Sequence, residues 1–421
     1  MPAKVRVSAF CMLAFALASL HAEERLFGPR ELADELMKSN PEIQAARHRL
    51  EAAVKRPPQL GALPEPAISY TNFGVGHPFS GLQRSAFAYQ GFGVSQEFPF
   101  PGKRALASEQ ARREAEGEQE NYRSVVLEVS ARLKIAYFEW LAAIKAIDLT
   151  RKNRDLLGRY EEIARNRYTV GKGLQQDVLK AQLELASLEP QLAMLEEKRE
   201  RREAEISSLL ALPGVKLRAP AEWEPSRFSA SLQELVKTAE DSPRLRAGQK
   251  VVDARMVGVR RSRKDFRPDF RVNLQWQHTG AAFPDYYMAA VEVKIPLYYG
   301  RNQRYALEES YARLQEAKQN YEAARQSAIY ELKEQYLAIQ SSERILSLYR
   351  TALIPQASLA VESATSAYEV GNLDFLSLLA NLTNLIELQL QYYYEVERHE
   401  EAIARLEPIA GRELIPFGRT N

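Results

Sequence analysis

The sequence predicts a mainly α protein with a small β part, written twice along the chain, in which very long coiled-coil helices join short pairs of strands. Three observations predict it. Ala, Leu, Glu, Gln and Arg dominate the 421 residues while Gly and Pro number only 20 and 21, a composition of long helices. Four short motifs recur in the same order about 200 residues apart. Apolar residues step by three and four through proline-free stretches, the packing seam of a coiled coil.

Charge and cysteine usage narrow the function classes. The chain carries 57 basic against 55 acidic side chains, a formal +2. It lacks the basic excess of a polyanion binder, so no nucleic-acid partner is expected. A single cysteine excludes an internal disulfide, and a thiolate zinc site needs two or more. Residues 1–22 read as a secretory signal: Lys4 and Arg6 precede the apolar run from Val7 to Leu20, and Ala22 offers a small residue for cleavage. That run has about 14 residues, short of the roughly 20 a spanning helix needs. Cys11 lies within this leader, and Ser8-Ala9-Phe10 is not the kind of sequence that precedes a lipidated cysteine. The mature chain is therefore expected to be exported without cysteine or acyl anchor, either soluble in that compartment or inserted as a β-barrel.

The duplication sets the domain organisation: a first repeat at 23–211, a proline-rich linker at 212–228, a second repeat at 229–407 and a C-terminal tail at 408–421. Asn40-Pro41-Glu42-Ile43 recurs as Ser242-Pro243-Arg244-Leu245, and Pro64 to Tyr70 as Pro268 to Leu274. Phe98-Pro99-Phe100-Pro101-Gly102-Lys103 recurs as Ile295 to Arg301, and Tyr168-Thr169-Val170-Gly171 as Tyr368-Glu369-Val370-Gly371.

Each repeat opens with a helix, near Arg30 to Arg56 and Ser229 to Lys264. Two strands follow. Phe270 to Gln277 alternates apolar and polar residues at period two, and its partner places Tyr287, Ala289, Val291, Val293 and Ile295 on one face against Met288, Ala290, Glu292 and Lys294 on the other. In the first repeat Ile68 and Tyr70 begin a weaker strand, and Ala86 to Phe98 is long enough to cross a bilayer when tilted. Half-buried strands of a soluble sheet are the alternative. The loops holding His77 and His278 separate the strands.

No proline interrupts Arg104 to Tyr168, where Val126, Val129, Leu133, Ala136, Trp140, Ala143 and Ile147 form the seam. About 65 residues at 1.5 Å each make a rod of roughly 100 Å. The second repeat copies the rod from about Arg301 to Tyr368, and Pro355 should kink it. Shorter helices return after each Val-Gly turn, with seams at Val178, Ala181, Leu185, Leu188, Leu192 and Leu195, and at Phe375, Leu378, Leu382, Leu385, Tyr392, Val396, Ile403 and Leu406. Two short rods end to end approach one long rod, the wall of a cylinder. Four strands cannot close a barrel, since about eight is the smallest closed number. Three chains would pool twelve and leave an open lumen, making a conduit from an outer membrane across the periplasm.

Leader, duplicated halves, paired strands and Tyr-x-Val-Gly turns together resemble the TolC family of outer membrane efflux channels across essentially the whole mature chain. Gln96 to Lys103 and Leu348 to Ala357 resemble its heavy-metal branch, the CzcC-like proteins. The resemblance implies a homotrimer with a twelve-stranded barrel in outer membrane lipid. It also implies a periplasmic tip engaging a membrane fusion (adaptor) protein, and an inner-membrane pump of the resistance-nodulation-division type. It implies passive passage for heavy-metal cations, with drug efflux, type I protein secretion and an exported coiled-coil scaffold as alternatives.

The family's adaptor-contacting tips fall on Tyr168, Val170 and Gly171 and on Tyr368, Val370 and Gly371, which read equally as helix-end punctuation. Asp177, Asp374 and Ser377 are the candidate periplasmic aperture. Ser377 and Ala380 stand where related channels often have aspartate, and both aspartates also suit helix N-termini. Ala357, Ala360, Ala364 and Ala367 suggest a small-residue seam along which the tube tapers. Metal chemistry looks poor. His48, His77, His278 and His399 are scattered, although His77 and His278 could share a weak site in the outer loops. His399-Glu400 begins a zinc-protease-like motif whose second histidine position holds Ile403. No catalytic constellation, metal site or cofactor site is expected.

Overall fold

A computed structural model describes residues 26–74, 88–280 and 283–417; the leader at 1–22 and His77 lie outside the described residues. In chain order the elements are β1 (Leu26–Phe27), α1 (Pro29–Ser39), α2 (Pro41–Gly61), β2 (Ala67–Phe73), β3 (Tyr89–Phe98), α3 (Lys103–Thr169) and α4 (Gln175–Leu209). The second half repeats them as β4 (Lys216–Leu217), α5 (Leu232–Glu240), α6 (Pro243–Lys264), β5 (Asp269–His278) and β6 (Tyr286–Lys294). It ends with α7 (Gln303–Leu348), α8 (Ile354–Glu369) and α9 (Phe375–Ala410).

The strands form one antiparallel sheet in the order β2-β3-β5-β6, so the two repeats meet at the central β3–β5 pair. The register lines up Tyr70, Phe92, Trp276 and Tyr287 in one row and Ile68, Val94, Leu274 and Ala289 in the next. Most of these large apolar side chains are exposed. The opposite face carries Glu97, Arg271 and Glu292 in one row, with Arg271 at 3.6 and 3.5 Å from the two carboxylates and Asn273 donating to Glu292 at 2.6 Å. A sheet this greasy on one open face and charged on the other is built to stand between hydrocarbon and water. Its two 10-residue central strands have the length a tilted crossing requires.

Below the sheet, α3 runs unbroken for 67 residues. Its predicted seam is buried from Val129 to Ile147, with Val126 half-buried. α2 and α4 lie one after the other along it, and α6 and α9 flank it from the second repeat. The opening helix of each repeat, expected as one piece, is two. Asn40 and Ser242 precede Pro41 and Pro243 and take extended backbone (φ −65, ψ 122 and φ −63, ψ 149), because a residue before proline is pushed out of the α region. Each proline then starts the next helix, where its missing N–H costs nothing. Asn40 uses the break: Oδ1 accepts from Ile43 N–H at 2.9 Å, and Nδ2 donates to the Leu209 carbonyl at 2.7 Å, joining the start of α2 to the end of α4. Gly411 makes the matching junction in the second repeat. At φ +73 it lets the end of α9 approach α6 so closely that a Cβ there would lie 2.7 Å from Ser242 Cα.

The second long rod is also interrupted as expected, and the form of the break is a π-helical turn at Tyr349–Leu353, where Ile354 N–H reaches back to the Tyr349 carbonyl. Pro355 has no N–H to continue the α ladder, so one wider turn absorbs the loss and α8 restarts with the proline in its first turn. The small-residue seam is corrected by the structure. Along α8 the buried residues are Ala357, Val361, Ala364 and Tyr368, whereas Ala360 is exposed and Ala367 half-buried. Both stripes share Ala357 and Ala364, and within this protomer the buried one takes steps of four, three and four through Val361 and Tyr368, whose larger apolar side chains gain more from burial than Ala360 and Ala367.

Two polar clamps join the repeats. At the sheet's base Lys103 Nζ donates to Asp269 Oδ1 and Oδ2 at 2.9 and 3.0 Å and to the Arg267 carbonyl at 3.2 Å, while Asp269 also accepts from Phe100 N–H at 2.8 Å. The repeated Phe-Pro-Phe-Pro-Gly-Lys motif is thus the corner where strand becomes rod. Halfway down, buried Lys134 of α3 donates to Glu407 Oε1 and Oε2 at 2.9 and 2.8 Å, to Glu413 at 2.8 Å and to the Ile415 carbonyl at 3.0 Å. Glu407 in turn accepts from Leu414 and Ile415 N–H. The residues after α9 are so folded back against the first repeat.

Replacing Lys103 with Met leaves Asp269 without its cation and should destabilise the detergent-solubilised protein by about 2–3 kcal/mol in chemical denaturation; Lys103→Arg should recover part of this. Burial also holds Glu397 and Glu407 above the ordinary carboxylate value of 4.5. Above that value the folded state therefore binds more protons than the unfolded chain, so stability falls as pH rises through the raised folded range. The denaturation midpoint should be higher at about pH 5.5 than at about pH 8, and Glu397→Gln should flatten that slope.

Candidate functional site

The ends of the two long rods, roughly 100 Å from the sheet by the rise of α3, are built alike. In the first, Gly171 at φ +72 donates to the Tyr168 carbonyl at 3.0 Å, and Lys172 N–H reaches the Arg167 carbonyl at 2.8 Å. In the second, Gly371 at φ +83 donates to Tyr368 at 3.0 Å and Asn372 to Ala367 at 2.9 Å. This pair of bonds is the Schellman closure, whose left-handed position admits glycine without penalty. Val170 and Val370 are left 66% and 71% exposed, and Leu174 stands out beside the first tip at 66%.

The two tips are not equivalent, although their sequences match. Tyr168 is 46% exposed, whereas Tyr368 is 3% exposed and packs against Phe375 with ring centroids 5.6 Å apart. Tyr368 lies in the buried cluster of Leu157, Tyr160, Ala164 and Phe375, and Arg167 covers it. Its guanidinium lies 4.6 Å from the Tyr368 ring centroid, and one of its N–H groups donates to the Tyr368 carbonyl. Tyr160 and Thr365 share a second hydroxyl bond between the rods at 2.8 Å. Arg167 carries no motif that marks it in the sequence. The only signal was a basic residue in a last helical turn, and its partner is 201 residues away.

Of the aperture candidates, the structure joins Asp374 and Ser377 and leaves Asp177 apart. Asp374 caps α9: Oδ1 accepts from Ser377 N–H at 2.9 Å and Oδ2 from the Ser377 hydroxyl at 2.8 Å, bonds that hold its carboxyl below the usual range. Asp177 lies half-buried in the first turn of α4. The structure also gathers three carboxylates that the sequence keeps far apart. Oxygens of Glu139, Glu397 and Glu401 lie within 4.8 Å of one another, the one metal-capable group among the described residues. Two cations already pair with it, Lys198 with Glu397 at 2.7 Å and Arg202 with Glu139. His278 pairs with Asp285 at 2.7 Å, and buried His399 donates through Nε2 to the Ser226 carbonyl at 2.9 Å while its Nδ1 has no partner among the described residues.

A duplicated chain of this kind, with an amphipathic four-stranded sheet at one end of long helical hairpins and paired turns at the other, defines a subunit of an outer membrane conduit. The family model of outer membrane efflux proteins matches residues 32–212 and 235–407, and the chain belongs to that family. It is 28% identical over 320 residues, 74% of each chain, to the cobalt-zinc-cadmium resistance protein CzcC of Cupriavidus metallidurans. Among solved structures, the VceC outer membrane protein of Vibrio cholerae superposes with a TM-score of 0.77 at 19% identity, covering 92% of this chain and 96% of that one. The open state of the MtrE outer membrane channel of Neisseria gonorrhoeae gives 0.78 at 18%, covering 93% and 91%. The fold is TolC-like. The protein is an efflux channel of the outer membrane, a passive conduit that catalyses no reaction.

A double-mutant cycle between Arg167→Ala and Tyr368→Leu should return a coupling of roughly 0.5–2 kcal/mol in chemical denaturation. Arg167→Ala should also raise the resting conductance in planar bilayers, while Tyr168→Ala, which removes an exposed ring, should leave it unchanged.

Proposed function

We propose that the protein is the outer membrane subunit of a tripartite efflux system for heavy-metal cations, working as a homotrimer with a periplasmic adaptor and an inner-membrane pump of the resistance-nodulation-division type. The observation that carries the metal substrate is the similarity to the cobalt-zinc-cadmium resistance protein, which extends over 74% of both chains. Trimer formation is supported by the sheet. β2 and β6 each have one paired side within the chain, and an unpaired edge in hydrocarbon costs several kcal/mol for each orphaned group. Three protomers pool twelve strands, which leave a lumen that eight would fill.

Export by the leader at 1–22 and division into repeats at 23–211 and 229–407, with a linker at 212–228 and a tail at 408–421, belong to the same reading. The paired tips at Tyr168, Val170 and Gly171 and at Tyr368, Val370 and Gly371 are its adaptor contacts. Val170 and Val370 offer apolar knobs beside closed turns, six such turns in a trimer. Asp177, Asp374 and Ser377 line the periplasmic aperture just inside these turns, and Ser377 and Ala380, which stand where related channels often have aspartate, make this aperture less acidic than theirs. The pump supplies the energy, and the conduit supplies a path.

A strain lacking the protein should become sensitive to zinc, cobalt and cadmium salts, with its susceptibility to organic antibiotics unchanged. Sensitivity to antibiotics alone would assign drug efflux, and loss of an exported protein would assign secretion. Complementation with Gly171→Trp plus Gly371→Trp, which forces a bulky residue into two left-handed positions at a cost of about 1–2 kcal/mol each, should give trimers that no longer crosslink to the adaptor. Normal crosslinking of that variant would remove the tips from the interface.

A further inference from the structure

We propose that the cavity where the linker and the C-terminal tail meet α3 and α9 binds an organic cation, an ammonium group carried on an apolar body. The cavity holds about 670 Å³, the size that encloses a drug-sized molecule. It lies halfway along the rod, away from the tips, the aperture and the sheet. Its walls are aromatic. Trp223 of the linker stacks on Phe138 of α3 with centroids 6.4 Å apart and 5° between the planes, and on Tyr393 of α9 at 6.4 Å and 13°, and Phe417 of the tail meets Tyr137 and Phe138 edge-on at 5.3 and 6.2 Å. The faces of such rings are negative and attract a cation that has shed its water. They already do so once, since the Lys134 ammonium sits 5.9 Å from the Phe417 centroid.

The charge at this wall is unbalanced. Lys134 is spent on Glu407 and Glu413. Glu400 is 2% exposed and has no ion pair among the described residues; its oxygens accept only from Ser226, from the N–H at 2.6 Å and the hydroxyl at 2.9 Å. The base beside it, His399, is committed through Nε2 to the Ser226 carbonyl and its Nδ1 has no partner, so a protonated ring would bury an N–H with no acceptor. Glu222 and Glu224 add negative charge at the rim; against these three carboxylates stand Arg227 in the lining and, at the rim, Lys145, which donates to the Pro220 and Ala221 carbonyls. Burial pushes the Glu400 carboxyl above its ordinary range, a penalty that a cation in the cavity would relieve. Aromatic faces with an uncompensated buried carboxylate make the arrangement that holds quaternary and protonated amines.

The test is titration of the assembled, detergent-solubilised channel with benzyltrimethylammonium, followed by tryptophan fluorescence and calorimetry, with benzyl alcohol as the uncharged comparison. Saturable binding of the cation is expected, with the alcohol roughly tenfold weaker or worse. Glu400→Gln and Trp223→Leu should each weaken binding about tenfold, whereas Trp223→Phe should keep the calorimetric affinity and lose most of the fluorescence change. If Glu400→Gln fails to assemble, the two Trp223 variants decide, because that ring is half-exposed in the linker. The proposal is overturned by no saturable binding of the cation, by equal affinity for the alcohol, or by wild-type affinity in Trp223→Leu or in assembled Glu400→Gln.

Discussion

In hydrocarbon no backbone N–H or C=O can turn to water, and this requirement organises the whole chain. A four-stranded sheet with a greasy face satisfies its central strands and leaves β2 and β6 each with an open side. A single protomer is therefore one sector of a larger closed surface. The sector is held in shape by pairing β3 of the first repeat with β5 of the second over nine aligned residue pairs, from Gln90 with His278 to Phe98 with Phe270. The corner at Lys103 and Asp269 carries that alignment from strands into rods.

Beneath the sheet, water replaces lipid and the stabilising forces change. The rods bury narrow apolar seams and leave charge on their other faces, which is how a chain so rich in Glu, Lys and Arg can still be strongly cohesive. A fully buried leucine such as Leu133 or Leu141 contributes about 2–3 kcal/mol, and the seam repeats it over many turns. Halfway down, the buried Lys134 and Glu407 pair, together with Asn40 and Gly411 at the helix junctions, lock the stacked short helices against the long ones. Desolvating such a pair offsets much of its attraction. Its effect is better seen in where it places Leu414 to Phe417 than in net stability.

The repeats are alike in sequence and unlike in detail. α3 is continuous, whereas its counterpart is split by a π-turn that Pro355 requires. Arg167 of one tip covers Tyr368 of the other, so two turns with matching motifs present different surfaces. A duplicated gene can diverge in this way because each copy now packs against its partner rather than against itself.

Much of this was legible beforehand because periodicity and backbone chemistry are local. The alternation from Phe270 to Gln277, the heptads from Val129 to Ile147 and the Val-Gly turns are rules about neighbours, and the structure follows them. Spacing alone misled where a competing choice intervened, as at Pro41 and Pro243, which divide helices of continuous pattern, and at Ala360, where the neighbouring Val361 takes the buried position instead. Fold class and the two ends of the molecule follow from residue spacing and are readable in the chain alone. Which distant groups meet is decided by the tertiary structure: Lys103 with Asp269, Lys134 with Glu407, Arg167 with Tyr368, and Glu400 with no ion pair among the described residues. Partners separated by more than 160 residues carry no spacing signal, and the packing of rods against sheet, linker and tail alone brings them within bonding distance.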